Sequence, residues 1–257
     1  MKRLRVLMMW QEIEPEKLTE ATVVVIDVFL ATTTMLAILE NGAREVYPSA
    51  SLDEAEEVGD GLDQTRLLYG GEQGAEKIEG YDLGPYPEEY PSEVVAGKDV
   101  IFVTTNGTRA IDAAADAKEL LLGSLRNAPA VARYLESSET ESVYVVCAGS
   151  AGRFVLEDFL GASTMLSYLN RQGYLEDWRL NDAAWAALDF AERWDGREPE
   201  ALKQSRAGRW LLENHLPETF EFAGDVGASE LVPEVVDGRL RAVEDEESGT
   251  PKESDAW

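Results

Sequence analysis

The chain has 257 residues, 44% of them hydrophobic, and 50 acidic side chains against 23 basic ones, for a formal net charge of −27. That balance repels nucleic-acid phosphates and anionic lipid, so neither is an expected partner, and no apolar run approaches the ~20 residues of a membrane span. Cys147 and His215 are the only cysteine and the only histidine, which excludes an intrachain disulfide and leaves a Cys/His zinc site without ligands.

Short apolar runs alternate with helical patterns along the first 150 residues. Strands are expected at 4–9, 22–28, 45–47, 66–69, 100–103, 120–122 and 142–147. The basic start before residue 4 is followed by no small-residue cleavage site, so it reads as the approach to a strand and not as a leader. Helices are expected at 32–40, which ends at Asn41-Gly42, and at 51–58, which opens with Ser51 and Glu54 in capping-box spacing. Two more follow at 108–117 and at 128–135, the latter with Pro129 in its first turn. After residue 157 the pattern is mostly helical, at 158–169, 181–193, 199–204 and 209–214, with a last strand at 231–236. This order predicts one α/β domain over residues 1–240, a three-layer α/β/α arrangement on a largely parallel or mixed sheet. Residues 241–257 read as an acidic, disordered tail.

Only seven of the basic residues are lysine. A self-repelling acidic surface is relieved by molar salt, where the Debye length falls to roughly 3 Å. The composition therefore points to the cytoplasm of a salt-accumulating halophile, with an ordinary acidic protein as the alternative.

Ligands of open α/β sheets bind beyond the carboxyl ends of the strands, and four segments stand there. In "DVFLATTT" (27–34), Asp27 ends a buried strand and Thr32 and Thr33 open a helix. An unpartnered buried carboxylate is costly, so Asp27 is either a helix cap or a metal ligand. "YGGEQGAEKIEGYDLGPYP" (69–87) is a long glycine-rich loop with Glu72 directly after a strand; it is either functional or merely solvated. "VTTNGTRA" (103–110) brings Thr105, Asn106 and Thr108 to a helix start with Arg109 beside them, a cradle for an anion or a simple turn. "CAGSAGRFVLEDFLGA" (147–162) places the pair Glu157-Asp158 at a helix start, as metal ligands or as charges suited to the helix dipole. Cys147 reads as a buried structural thiol and His215 as a surface or packing residue. Oxygen ligands and hydroxyls with few cations suit Mg²⁺ and a phosphorylated substrate. There is no G-x-x-x-x-G-K-[ST] loop.

In this order the four segments resemble those of the 2-phosphosulfolactate phosphatase, or ComB-like, family, whose motifs run approximately DVFRATTT, GERxGxKxxGFDLGNSP, TTNGTRA and AG…F.LED. "SLRNAPAVA" and "LNDAAWAA" fit it as well, and the likeness spans residues 20 to 235. The resemblance implies a Mg²⁺-dependent phosphatase that hydrolyses 2-phosphosulfolactate to sulfolactate and phosphate, a step towards coenzyme M, and it allows a homodimer. It carries over Asp27, Glu72, Glu157 and Asp158 as metal-binding or catalytic residues and Asn106 as catalytic. Thr32, Thr33, Asp82, Thr105, Thr108 and Arg109 carry over as substrate-binding residues. The chain departs from the pattern at Leu30 and Gln73, where the family has arginines, and at Pro85-Tyr86, where it has Asn-Ser.

Overall fold

The structure, a computed structural model, describes residues 1–171 and 173–243. In chain order, strand β1 (Arg3–Leu7) is followed by β2 (Thr22–Ile26), helix α1 (Ala31–Glu40), β3 (Glu45–Ser49), α2 (Leu52–Asp60), β4 (Leu67–Gln73), β5 (Glu76–Lys77) and α3 (Ser92–Val95). Next come β6 (Asp99–Val103), α4 (Gly107–Ala113), β7 (Glu119–Gly123), α5 (Ala128–Ser137), β8 (Ser142–Cys147), α6 (Leu156–Asn170) and β9 (Arg179–Leu180). The chain closes with α7 (Asp182–Trp194), α8 (Glu198–Leu202), α9 (Arg206–Glu213), α10 (Pro217–Ala223), β10 (Pro233–Val236) and β11 (Arg239–Ala242). From residue 244 on, the expected acidic tail lies outside the described residues. Among the described residues no helix is long and apolar enough to cross a membrane.

One mixed sheet orders the strands β5-β4-β6-β3-β11-β10-β7-β2-β8-β1-β9. Two parallel sets, β4-β6-β3 and β7-β2-β8-β1-β9, flank the antiparallel hairpin β10-β11. The hairpin joins each set through a single antiparallel residue pair, Leu240 with Val46 and Glu234 with Leu121. Three successive antiparallel pairings separate β3 from β7, so the two sets run in opposite directions. The loops at their carboxyl ends nevertheless meet. A methyl group added to Gly107, after β6, would lie 2.7 Å from Asp27 Oδ2, after β2.

The strands owe their burial to β-branched alternation. In β2, Val24 and Ile26 face one core while Val23 and Val25 face another. β8 divides likewise, with Val143, Val145 and Cys147 on the first face and Tyr144 and Val146 on the second. The first core is covered by α5 to α10. The second is filled by α1 and α4 and takes residues from both strand sets. A third, smaller cluster lies under α2 against Ile101 and Val103. Helices thus cover both faces of the sheet, the three-layer arrangement the sequence predicts. α1 is buried over eight consecutive residues, Ala31 through Ile38, because it is enclosed by both strand sets and needs no polar face.

The caps explain where several helices begin. Ser51 accepts from Glu54 N at 3.2 Å and Glu54 returns to Ala50 N at 2.7 Å, a capping box displaced by one residue. Asn181 caps α7 through Ala184 N, and Ser205 caps α9 through Gly208 N. The sequence reading missed α3, α10 and the short strands β5, β9 and β11. Each of those strands has four residues or fewer, and pairing rather than pattern holds it in place.

Candidate active site

Asp27 follows β2 directly and its side chain is buried. Burial pushes its carboxyl up to about 7; the Ala31 N–H pulls it down, the charges of Glu72 and Glu157 push it up, and the Gly107 N–H pulls it down. The threonines that follow are spent on the turn itself. Thr32 Oγ1 accepts from Asp27 N at 2.9 Å and lies 2.8 Å from Asp27 O and 2.7 Å from Gly123 O. Thr33 Oγ1 donates to Val28 O and Thr34 Oγ1 to Pro85 O. The expected substrate-binding hydroxyls of Thr32 and Thr33 therefore fix the Asp27 loop, and neither lines the cavity described below.

Glu72 and Thr105 do meet across adjacent strands. Glu72 Oε1 accepts from Thr105 N at 2.6 Å, and Oε2 accepts from Thr105 Oγ1 at 2.9 Å and from Ala75 N at 2.6 Å. The close approach that permits this is set by Gly71, where any side chain would run into the Val103 carbonyl. Asn106 Oδ1 accepts from Ala151 N at 3.2 Å, which joins the loop after β6 to the loop after β8. Ala75 and Ala151 both hold positive φ, 71° and 50°, a strain of order 1–3 kcal/mol each for a residue with a side chain. Glu72 and Asn106 each accept the N–H of one strained alanine. Thr108 Oγ1 bonds back to Thr104 O at 2.9 Å and is buried. Arg109 is exposed, and Asp82 braces the β4 edge through Tyr69 N at 2.9 Å. None of Thr108, Arg109 and Asp82 reaches the cavity.

Glu157 and Asp158 occupy the first turn of α6, two residues further into the helix than expected, because α6 starts at Leu156 and not at 158. Asp158 is a brace: Oδ1 accepts from Val28 N at 3.0 Å and Oδ2 from Gly149 N at 2.9 Å. Burial, with Asp27 and Glu157 nearby, pushes its carboxyl well up. Glu157 is buried too, and its Oε2 has no hydrogen-bond partner. Burial pushes Glu157 up, while its own backbone N–H, the Ser205 hydroxyl and the Arg206 charge pull it down.

The four carboxylates do not form one ligand set. Among the described residues no three His, Cys, Asp or Glu side chains cluster closely enough to hold a metal ion. Glu72 and Asp158 have both oxygens engaged, which leaves Asp27 and the unmatched Glu157 oxygen. Two carboxylates suffice for Mg²⁺, which keeps several waters and takes further oxygens from a substrate phosphate. Of the two, Asp27 lines the cavity described below and Glu157 does not.

A cavity of about 500 Å³ opens over Asp27. Its polar lining residues are Asp27, Glu72, Thr104, Thr105, Asn106, Ser150 and Arg206. Its large apolar lining residues are Phe29, Leu30, Tyr86, Phe102, Trp210 and Leu211. Of the site residues expected from the sequence, Asp27, Glu72, Thr105 and Asn106 line this one cavity, and Ser150, Arg206 and Trp210, which were not expected there, line it too. The available signal was Ser205, a cap residue, followed by Arg206 and Trp210 four residues apart on one face of α9. Of the departures from the family pattern, Leu30, Pro85 and Tyr86 line the cavity, whereas Gln73 is exposed outside it.

A family model described as 2-phosphosulpholactate phosphatase matches residues 7–238. A relative from Caldanaerobacter subterraneus, named a probable 2-phosphosulfolactate phosphatase, is 36% identical over 92% of this chain and 96% of its own. Proteins of the same name from Deinococcus radiodurans and Thermotoga maritima are 37% and 36% identical over 83% and 84% of this chain, and 87% and 90% of their own. With the fold and the four motif regions in place, the chain belongs to the 2-phosphosulpholactate phosphatase family.

Proposed function

We propose that the protein is a Mg²⁺-dependent hydrolase of a small phosphomonoester, with 2-phosphosulfolactate as the reference substrate and sulfolactate and phosphate as its products. The observation that carries this reading is the buried Asp27 carboxylate in the lining of a substrate-sized cavity, with the buried Glu157, outside that lining, near enough for its charge to push the Asp27 carboxyl up. Asp27 and Glu157 would hold the ion, whose charge offsets that of the phosphoryl oxygens. Asn106 lends its Oδ1 to Ala151 N, which leaves its Nδ2 hydrogens for a phosphoryl oxygen. Glu72 keeps Thr105 and the Ala75 turn in place. Asp158 holds the loops after β2 and β8 together, so the Asp27 position is fixed before any ligand arrives.

Two chemical roles are open to Asp27 at that position. It can take the proton of an attacking water, or attack phosphorus itself and form an acyl phosphate that water then hydrolyses. A labelled phosphoenzyme trapped by rapid quench assigns the second route, and its absence under single-turnover conditions assigns the first. The acid-rich, lysine-poor composition supports work at molar salt inside the cell, so activity belongs in KCl.

One observation favours a second reading, ligand binding without turnover: Leu30, not a cation, lines the cavity. A screen of phosphomonoesters with Mg²⁺ in molar KCl separates the two. Release of phosphate from at least one ester supports the enzyme. A folded protein that releases none supports binding alone.

A further inference from the structure

We propose that Arg206 determines which phosphomonoester this cavity accepts, by holding a second acidic group, a sulfonate or carboxylate, on the substrate's alcohol portion. The inference rests on the phosphatase reading for the phosphoryl group, but the contact made by Arg206 does not require turnover.

Arg206 is the only basic side chain in the cavity lining, and the strand-end loops contribute acids and no cation to it. It comes from α9, where residues 201 to 212 hold Lys203, Arg206 and Arg209 and no acid, in a chain of net charge −27. Among the described residues Arg206 pairs with no carboxylate. Its side chain makes one hydrogen bond among them, donated by Nη2 to Ser150 Oγ at 2.9 Å. A guanidinium carries several N–H donors in a fixed fork, so most of them are left for a ligand.

The loop after β8 ties this cation to the proposed phosphoryl site. Ser150 and Arg153 exchange both backbone hydrogen bonds, at 2.9 and 3.0 Å. Ala151 and Gly152 between them hold φ of 50° and 68°, the left-handed pair of a tight hairpin turn. Two consecutive residues of that turn carry two anchors: Ser150 takes the guanidinium, and Ala151 N donates to Asn106 Oδ1 at 3.2 Å. Consecutive Cα atoms lie about 3.8 Å apart, so Arg206 and Asn106 stand within the length of one small molecule. An ester whose phosphoryl oxygen meets Asn106 Nδ2 thus brings its alcohol portion within reach of Arg206, in a cavity of about 500 Å³ that has room for both groups. An acid on that portion would otherwise be desolvated beside Leu30 and Trp210, which also line the cavity. Charge-assisted hydrogen bonds from Arg206 offset that cost, and a neutral alcohol portion gains nothing from them.

The test compares wild type, Arg206→Met, Arg206→Lys and Arg209→Met in molar KCl with Mg²⁺. Arg209→Met removes the same charge from the same helix, but Arg209 does not line the cavity. Calorimetry measures binding of sulfolactate, which carries the acids without the phosphate, and of inorganic phosphate. Steady-state assays compare 2-phosphosulfolactate with phenyl phosphate. Arg206 and Arg209 are exposed, so thermal melts should find every variant folded. Arg206→Met is expected to weaken sulfolactate binding ~10- to 100-fold and phosphate binding far less. It should raise KM for 2-phosphosulfolactate by a similar factor with kcat within about threefold, so that the preference over phenyl phosphate falls. Arg206→Lys recovers part of both effects, and Arg209→Met produces neither. A matching rise in KM for 2-phosphoglycolate, whose second acid is a carboxylate, assigns the contact to a carboxylate; an unchanged KM there assigns it to the sulfonate. Sulfolactate affinity unchanged in Arg206→Met, an equal loss of phosphate affinity, or an equal loss in Arg209→Met overturns the role of Arg206, even if every ester is hydrolysed. Loss of sulfolactate binding in Arg206→Met with no turnover of any ester by wild type supports that role and removes the phosphatase reading alone.

Discussion

At the scale of single residues, Asp27 and Leu30 carry the most testable content. In the metal-free folded protein Asp27 keeps its proton up to about 7, against an ordinary carboxyl value of 3.8. The folded state binds that proton more tightly than the unfolded chain. The Asp27 contribution to stability is thus whole at acid pH and is lost as pH rises through 7, at up to about 1.4 kcal/mol per pH unit. Denaturant melts in EDTA at pH 5 and pH 8 should show a smaller stability loss for Asp27→Asn than for wild type; equal losses would show that the buried carboxyl is not strained. Leu30→Arg adds a cation to the lining of the cavity. It should raise kcat/KM on 2-phosphosulfolactate by about tenfold or more and leave phenyl phosphate unimproved. Thr32 and Thr33 make the opposite point. Their side chains look ready for phosphate in the sequence, yet each hydroxyl is committed to a backbone group within its own turn.

At the scale of elements, the strands were the most legible part, because β-branched runs such as Thr22–Ile26 are buried on both faces and admit no other use. α1 was legible for its length but not for its setting. Its lack of a polar face makes sense only once both strand sets are seen to enclose it. Ile38 is fully buried in that helix, so Ile38→Ala should cost about 2–5 kcal/mol in a denaturant melt, well above the cost at an exposed helix position. The site was half legible. Asp27 follows β2 directly, Glu72 lies at the end of β4 and not after it as expected, Thr105 and Asn106 stand just past β6, and strand ends are where the sequence alone says to look. Arg206 and Trp210 come from α9, which no strand precedes, and only the packing of α9 over the loop after β8 brings them in. The carboxylates were harder still. Adjacent acids at 157 and 158 look interchangeable on paper. Their side chains leave the helix in different directions, so Asp158 braces two loops while Glu157 keeps an unpartnered oxygen.

At the scale of the whole molecule, the charge of −27 and the two opposed strand sets frame the behaviour of the protein. Repulsion among 50 carboxylates is long-ranged in dilute buffer and screened within roughly 3 Å at 1 M salt. The melting temperature should rise by roughly 5 °C or more between 0.1 M and 2 M KCl; a flat or falling profile would remove the salt-adapted reading. The opposed sets matter for function because their carboxyl-end loops meet at the cavity. Asp27 lies on one side of that junction and Glu72, Thr105 and Asn106 on the other. Joining them is what turns four loops into one site. The most direct test is phosphate release by wild type and Asp27→Asn, measured on phenyl phosphate and 2-phosphosulfolactate with Mg²⁺ in molar KCl. Turnover by wild type that falls about 10³-fold or more in Asp27→Asn, with the variant folded, is the predicted result. Turnover retained in Asp27→Asn, or absent from folded wild type on both esters, would contradict it.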